Sequence, residues 1–395
     1  MTPLERRASF SLTAIFGLRM LGLFLVLPVF ALEARKYPGG DDPALIGFAL
    51  GAYGLTQALL QMPFGLASDR LGRKRVIAAG LLVFALGSFW AAAADSVTGL
   101  LIGRALQGAG AVSAAVTALL SDLTRDLVRT KAMALVGVSI GLVFALSLVA
   151  APPLSAWLGL SGLFVGVGVL ALLALAVTVW WVPPEPARHS QALKGRLADV
   201  LADRALLRLD FGVFVLHAVQ LSMWISVPAL LVAAALPRAA HWQVYLPAVF
   251  GSFLVLGGLL FRLERAGYLR AIFLISIGLI GIAQLGFLAE ARGALPAGSL
   301  IWLGVLLFVF FCGFNLLEAS QPSLVSRLAP AHARGAALGA YNTAQSLGLF
   351  AGGAIGGVLV KSAGASGLFA ANAALSLVWL IVAWRMRPVP GAAAH

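Results

Sequence analysis

Long apolar runs are the feature that most limits how this chain can fold. A helix rises 1.5 Å per residue, so about 20 apolar residues cross a hydrocarbon core roughly 30 Å thick. The runs are continuous rather than alternating, which favours helices over the strands of a membrane barrel. The sequence predicts twelve transmembrane helices, at residues 8–32, 44–66, 75–94, 98–121, 132–153, 161–182, 209–235, 243–261, 270–289, 299–323, 336–359 and 366–385.

The composition excludes an ordinary soluble protein. Charged residues make up 11% of the 395 residues, against about 25% in soluble domains, and mean hydropathy is +0.97. The net charge of +13 would also suit a nucleic-acid-binding protein. The charges form short clusters between apolar runs instead of one basic face, so we expect a lipid bilayer and no nucleic acid as partner.

Lysine and arginine are concentrated in alternate connections. With the N-terminus inside, 21 of the 28 lie in inner segments and five in outer segments, while Arg19 and Arg104 lie within predicted spans. Inner loops of membrane proteins are enriched in these residues. We therefore expect both termini in the cytoplasm.

The longest connection divides six predicted spans from six. It covers residues 183–208 and contains Pro183, Pro184 and Pro186. The prediction is an N-terminal six-helix bundle at residues 1–182, a cytoplasmic linker at 183–208 and a C-terminal six-helix bundle at 209–395.

Short motifs recur between these halves. Asp-Arg-Leu-Gly at residues 69–72 matches Glu-Arg-Ala-Gly at 264–267, and Ser121 and Arg129 match Ser326 and Arg334. Two weakly similar copies of one unit are typical of a parallel transporter repeat. The fold prediction is thus an all-α membrane protein with two pseudo-symmetric bundles.

A dense charged motif, GLASDRLGRKR, fills the connection between spans 2 and 3. Glycines permit a sharp turn and close helix approach, and basic residues hold a turn on the inner side. We assign the turn to Gly65 and Gly72 and the topological role to Arg70, Arg73 and Lys74.

Two acidic residues complete this predicted conformational switch. Asp69 is suited to accept hydrogen bonds from a helix N-terminus, and span 11 begins on the same side near Gly335. Asp122, at the inner end of span 4, is a predicted partner of Arg73. The alternative is a solvated loop that only sets topology.

These residues resemble the signature loop of the major facilitator superfamily. The stretch LLIGRALQGAGA resembles a second signature of this family, through Arg104, Gln107, Gly108 and Gly110. The resemblance extends over nearly the whole chain. It is closest to the twelve-span drug:proton antiporters and, within them, to the YajR-type group, in the stretches RMLGLFLVLPV, GLTQALLQMPFGLASDRLGRK and SDLTRD.

The resemblance implies two bundles around a central cavity, alternating access, proton-driven export and a monomer. It also implies that the switch loop stabilises an outward-open state. Span 5 departs from the antiporter signature, because Ala151-Pro152 stands where Gly-Pro is expected. We also expect the soluble C-terminal domain of the YajR-type group to be absent, since the sequence ends ten residues after the last predicted span.

Few titratable residues lie well inside predicted spans, and such groups are functional by default because their burial is costly. They are Arg19, Arg104, His217 and Glu318, in spans 1, 4, 7 and 10. Carboxyl groups in apolar surroundings hold protons at higher pH than in water, and histidine titrates near neutrality. We expect Glu318 to carry the proton with His217, a static ion pair and a packing histidine being the alternatives.

Arg19 and Arg104 stay charged, and the sequence leaves two roles open for them: binding an anionic group or biasing a neighbouring acid. For Arg104, a structural role with backbone carbonyls is a third. Other polar side chains share helix faces and either line a substrate path or bond neighbouring helices: Tyr53, Gln57 and Gln61 in span 2, Gln220 and Trp224 in span 7, Asn315 in span 10, and Asn342 and Gln345 in span 11.

The sequence contains no metal-binding cluster, phosphate loop or other enzyme motif, so we expect no cofactor, no metal and no catalytic activity. The prediction is a secondary active transporter of the inner membrane that exports a small amphipathic or hydrophobic solute against protons. A proton-independent uniporter, a sugar or metabolite exporter, and a non-transporting sensor on the same fold remain alternatives.

Overall fold

The computed structural model describes residues 1–110, 112–185, 197–260, 268–294, 299–330 and 333–386. Throughout these residues the regular structure is helical, with no β-strand. The chain divides into two compact units, Met1–Leu193 and Lys194–His395. The predicted motif at 264–267 lies outside the described residues, as do residues 186–196 of the predicted linker.

The first unit begins with a capping box, in which Thr2 and Glu5 exchange hydrogen bonds with each other's backbone amides. Asp42 and Ser96 cap two further helices of this unit in the usual way for short polar side chains. Its helices are α1 (Pro3–Phe24), α2 (Leu27–Ala34), α3 (Pro43–Leu71), α4 (Arg73–Ala92), α5 (Val97–Ala109), α6 (Ser113–Asp122) and α7 (Asp126–Ala176), which continues as a π-helical turn at Val177–Trp181.

The second unit uses the same capping chemistry, with Asp203 and Ser299 accepting from backbone amides. Its helices are α8 (Leu197–Ala202), α9 (Arg204–Ala233), α10 (Trp242–Val255), α11 (Leu269–Ala291), α12 (Leu300–Leu328) and α13 (Arg334–Trp384), with a 3-10 turn at Arg238–Ala240 and a π-helical turn at Leu256–Leu260.

The two longest helices are each interrupted once. α7 and α13 have 51 residues apiece, and their helical geometry fails at Gly159 (φ 67°, ψ −179°) and Gly364 (φ 67°, ψ −172°). The breaks fall in the predicted connections between spans 5 and 6 and between spans 11 and 12. Their spacing of 205 residues equals the spacing of the Ser121/Ser326 sequence match.

The two units repeat one packing pattern. In the first, α1 packs on α7, α3 on α5, and α4 on both α5 and α7. In the second, α9 packs on α13, α10 on α12, and α11 on both α12 and α13. The internal repeat seen in the sequence is therefore also a repeat of helix contacts.

The described helices suit a bilayer. Ten helical stretches of the described residues are long and apolar enough to cross a membrane, where α1 with α2, α5 with α6, and each 51-residue helix count as one stretch. Large apolar side chains face outward, including Trp157 at 81%, Trp180 at 78% and Ile301 at 80% exposure. Lipid is the solvent that such a surface requires, while twelve as the number of crossings stays a prediction.

Two predicted spans each remain one apolar stretch long enough to cross a membrane, but the helix in each is interrupted. Predicted span 1 breaks after Phe24, where Pro28 has no amide hydrogen to donate to the carbonyl four residues before it. Predicted span 4 breaks after Ala109, because Gly110 has a non-helical ψ of 48°. The hydropathy pattern is blind to both breaks, since all residues around them are apolar or small.

Candidate functional site

Three polar side chains meet inside the second unit, from three different helices. His217 lies on α9, Glu318 on α12 and Gln345 on α13. Nε2 of His217 is 2.7 Å from Nε2 of Gln345 and 3.5 Å from Oε2 of Glu318. Gln345 Nε2 also donates to Oε1 of Glu318 over 3.4 Å. We call these three residues the acid–imidazole cluster.

The surroundings of His217 fix its tautomer. Nδ1 lies 3.0 Å from the carbonyl oxygen of Val213, and a carbonyl only accepts, so Nδ1 carries the hydrogen. In a neutral ring Nε2 is then an acceptor, which matches the donating amide of Gln345. The edge of the Phe314 ring packs against the imidazole with centroids 5.9 Å apart.

Exposure differs sharply within the acid–imidazole cluster. The side chain of His217 is 5% exposed, whereas that of Glu318 is 31% exposed. Glu318 is therefore partly exposed, while its Oε2, the oxygen that faces His217, is buried. This arrangement can pass a proton between a carboxylate and an imidazole, since the two groups are close to hydrogen-bond distance.

Two glycines bring α13 close enough to place Gln345 beside His217. A Cβ at Gly348 would lie 2.3 Å from the carbonyl oxygen of Phe214, and one at Gly352 would lie 2.3 Å from that of Ala218. Such contacts are too short for any side chain. The glycine pair therefore sets the spacing of α9 and α13 at the acid–imidazole cluster.

A second polar cluster lies in the first unit around Tyr53. Arg19 donates to the hydroxyl of Tyr53 over 2.8 Å, to Oε1 of Gln57 over 2.9 Å, and to the hydroxyl of Ser113. Arg104 lies over the Tyr53 ring, with its guanidinium carbon 5.0 Å from the ring centroid. The arginines are 2% and 0% exposed.

Arg104 also heads a short hydrogen-bond chain. It donates to Oε1 of Gln107 over 2.9 Å, and Gln107 donates to the hydroxyl of Ser88 over 2.8 Å. The chain joins α5 to α4 through side chains rather than backbone carbonyls. We call Arg19, Tyr53, Gln57, Arg104 and Ser113 the arginine cluster.

The remaining predicted polar residues are dispersed. Both amide atoms of Gln61 are buried without a hydrogen-bond partner among the described residues. Gln220 and Trp224 border an apolar crevice with Phe310 and Phe311. Asn315 donates to Ser252 over 2.8 Å, which ties α12 to α10, and Asn342 is half-buried on α13. The contact of Asn315 is one of the predicted bonds between helices, and a substrate path along the other faces stays a prediction.

The switch motif contains the predicted ion pair. Nε of Arg73 is 2.6 Å from Oδ2 of Asp122, and Nη1 of Arg73 is 2.9 Å from Oδ1 of Asp69. Lys74 donates its backbone amide to Glu185 over 2.6 Å and its ammonium to the carbonyl of Val182 over 2.9 Å. Arg73 therefore links α4 to the ends of α3 and α6.

Of the two glycines of the motif, only one lies where the backbone conformation requires glycine. Gly72 has φ 108°, a backbone conformation that strongly favours glycine. Gly65 lies within helical α3, and a Cβ there would meet only the Cβ of Ala114 at 3.9 Å. The turn predicted at Gly65 is therefore wrong, because the helix continues through this residue and an alanine fits there. Arg70, in the last turn of α3, is exposed.

Sequence reasoning missed Ser113, Ser88 and the site role of Gln107. Ser113 is 94 residues from Arg19 in the chain, and single serines in apolar helices carry no periodic signal. Gln107 was visible only as part of the signature beside Arg104. Its spacing of three from Arg104 on a helix is the signal that points to it.

The fold and its buried charged side chains define a polytopic α-helical membrane protein. The model of the Major Facilitator Superfamily matches residues 11–353 and 245–395. The chain belongs to this superfamily of membrane transporters.

Curated relatives agree with this placement. The chain is 44% identical over 395 residues to the inner membrane transport protein YajR of Escherichia coli strain K12, covering 99% of this chain and 85% of YajR. It is 27% identical over 361 residues to the multidrug resistance protein MdtH of Aeromonas salmonicida strain A449, covering 88% of this chain and 86% of MdtH. The protein is thus a multi-pass inner membrane protein.

Solved structures share the fold at low identity. The nucleoside transporter NupG matches with a TM-score of 0.72 and 16% identity, over 98% of this chain and 99% of NupG. A bacterial homologue of the human lysosomal transporter Spinster matches with a TM-score of 0.73 and 16% identity, over 97% of this chain and 96% of that chain.

Proposed function

We propose that this protein is a secondary active transporter that exports a small solute by alternating access, coupled to protons moving inward. The contact between His217 and Glu318, 3.5 Å apart in the second unit, carries the proposal. A carboxylate and an imidazole at this distance can share one proton. Ionisable groups are costly to bury inside an apolar helix bundle and point to function by default.

Glu318 is the proposed proton carrier. Its partial exposure gives protons access, and Nε2 of His217 provides a nearby acceptor or donor. Gln345 contacts both groups, so a change in the proton count of either one alters its hydrogen bonds. Because Gln345 lies on α13, the protonation state is transmitted to that helix.

The other predicted residues take roles around this step. We assign solute contact to the arginine cluster and to Gln61, Gln220, Trp224, Asn315 and Asn342. We assign control of the conformational exchange to the switch motif, namely Gly65, Asp69, Arg70, Gly72, Arg73, Lys74 and Asp122. The MdtH relatives are named multidrug resistance proteins, which supports drug-like cargo. We propose that this cargo is amphipathic or hydrophobic and that the monomer is the working unit.

Proteoliposomes that enclose the pH dye pyranine test the proposal. Solutes that stabilise the purified protein in a thermal-shift screen of drugs, sugars and lipids are added on one side. We expect that the crossing of at least one solute moves protons across the membrane in the opposite direction to the solute. A solute that crosses at the same rate with and without a pH gradient would identify a proton-independent uniporter instead, and a solute that binds but never crosses would identify a sensor.

A further inference from the structure

The arginine cluster holds two positive charges without a matching negative one. Arg19 and Arg104 are buried, and neither forms an ion pair with any acidic side chain that the structure describes. Removing a charge from water without a partner is strongly unfavourable. Within the part of the chain that the structure describes, neither arginine therefore has an acid at ion-pair distance to bias.

Neutral groups satisfy only part of each guanidinium. Arg19 uses Ser113, Tyr53 and Gln57, and Arg104 uses Gln107. Among the described residues, Nε of Arg19 and both Nε and Nη2 of Arg104 are buried without a hydrogen-bond partner. Unmade hydrogen bonds of charged groups are the most unfavourable kind to bury.

Tyr53 brings the two arginines to one place. The guanidinium carbon of Arg19 is 5.9 Å from its ring centroid, and that of Arg104 is 5.0 Å from it. Both guanidinium groups thus lie against one buried ring, and like charges in a low-dielectric interior repel each other. An anionic group beside this ring would offset the positive charge and accept hydrogen bonds from the unused N–H groups.

We propose that the arginine cluster binds the anionic group of the transported solute, a carboxylate, sulfonate or phosphate attached to an apolar body. Guanidinium groups suit this ligand because their planar N–H donors match two oxygens of such a group. The rings of Tyr53 and Phe84, edge to face with centroids 6.5 Å apart, supply an apolar surface next to the charge. The inference rests on the proposed transport function and names its substrate class.

A matched set of naphthalene probes tests the proposal by binding to the purified full-length protein in detergent. Naphthalene-2-carboxylate, naphthalene-2-sulfonate and 2-naphthyl phosphate are compared with 2-naphthylmethylammonium and 2-naphthylmethanol by thermal shift and calorimetry. We expect at least one anion to bind at least about tenfold more tightly than the ammonium and alcohol probes. Equal binding of the ammonium or alcohol probe, or no binding of any of the three anions, would overturn the proposal.

Variants assign the site. Arg19→Gln and Arg104→Gln are each expected to weaken the bound anion about tenfold or more, whereas Arg238→Gln, which removes an exposed charge from the second unit, leaves its affinity unchanged. Tyr53→Phe keeps both charges and should retain most of the affinity, so it separates charge from packing. Unchanged anion affinity in both correctly folded arginine variants would contradict the assignment. If those variants fail to fold, the comparison of probes on the unmodified protein still tests whether the protein prefers an anionic solute.

Two further experiments distinguish an organic anion from an inorganic one, and anion binding from proton coupling. Sodium chloride alone tests an inorganic occupant: stabilisation by chloride with no binding of the three anions would refute the proposed organic substrate class. Glu318→Gln tests independence from proton coupling, because this variant should keep the anion affinity even where it loses proton movement. Loss of proton movement with retained anion binding supports both proposals separately, and retained proton movement with retained binding contradicts the coupling role alone.

Discussion

Gln345 donates its side-chain amide to Nε2 of His217 over 2.7 Å. The contact joins α13 to α9 and suits only an imidazole whose Nε2 carries no hydrogen. If Nε2 carried a proton, it would be a donor facing the donating amide nitrogen of Gln345, so that amide would have to turn. The hydrogen-bond pattern at this point therefore depends on the charge of His217.

Replacing Gln345 should disturb only one nitrogen of that ring. In Gln345→Leu, Nε2 of His217 loses its donor while Nδ1 keeps the carbonyl of Val213. We expect a shift of the Nε2 resonance and little change at Nδ1 in 15N NMR of histidine-labelled protein at alkaline pH. Asn342→Leu, on the same helix, serves as the control. Equal shifts at both nitrogens, or none, would speak against this tautomer.

Gly348 should not tolerate a methyl group. Gly348→Ala places a Cβ 2.3 Å from the carbonyl oxygen of Phe214, so α13 must move away from α9. Overpacking of this kind destabilises by about 1–3 kcal/mol. Gly339→Ala is the matched control on the same helix, because a Cβ there meets nothing within 4 Å. Unfolding followed by tryptophan fluorescence should separate the two variants, and equal stabilities would refute the close approach.

The two glycines of the switch motif should behave oppositely. Gly72→Ala forces a side chain into a backbone with φ 108°, which we expect to destabilise by about 1–2 kcal/mol. Gly65→Ala should leave stability unchanged or raise it by up to about 1 kcal/mol, since alanine is the better helix former. Thermal unfolding in one detergent tests the pair. A larger loss of stability in Gly65→Ala than in Gly72→Ala would contradict this backbone geometry.

Arg73 should matter more for transport than for stability. Its partners Asp69 and Asp122 are 58% and 40% exposed, and exposed ion pairs contribute about 0–1 kcal/mol. Arg73→Gln should therefore unfold near the same temperature yet transport more slowly, because the link between α3, α4 and α6 is lost. Arg75→Gln, at an exposed residue two positions later, is the control. Full transport activity in Arg73→Gln would remove the loop from the proposed switch.

The sequence predicted what depends on hydropathy and on nearby charges. Apolar runs identified the helices, and the spacing of the switch motif and Asp122 anticipated the ion pair of Arg73. The hydropathy pattern did not show the breaks after Phe24 and Ala109, because apolar or small residues surround them, although Pro28 and Gly110 are residue types that interrupt helices. The hydrogen bonds of Arg19 to Ser113 and of His217 to Gln345 join residues 94 and 128 positions apart. Only helix packing brings such pairs together, and no local pattern encodes it.

Proton coupling at Glu318 is the central claim, and pH-gradient-driven flux in pyranine proteoliposomes tests it most directly. Glu318→Gln keeps the size of the side chain but cannot bind and release a proton, and Glu290→Gln on α11 of the same unit is its control. We predict that the Glu318→Gln protein exchanges solute without a gradient but moves no protons with it, while Glu290→Gln behaves as the unmodified protein. Undiminished proton movement with solute in Glu318→Gln would contradict the account.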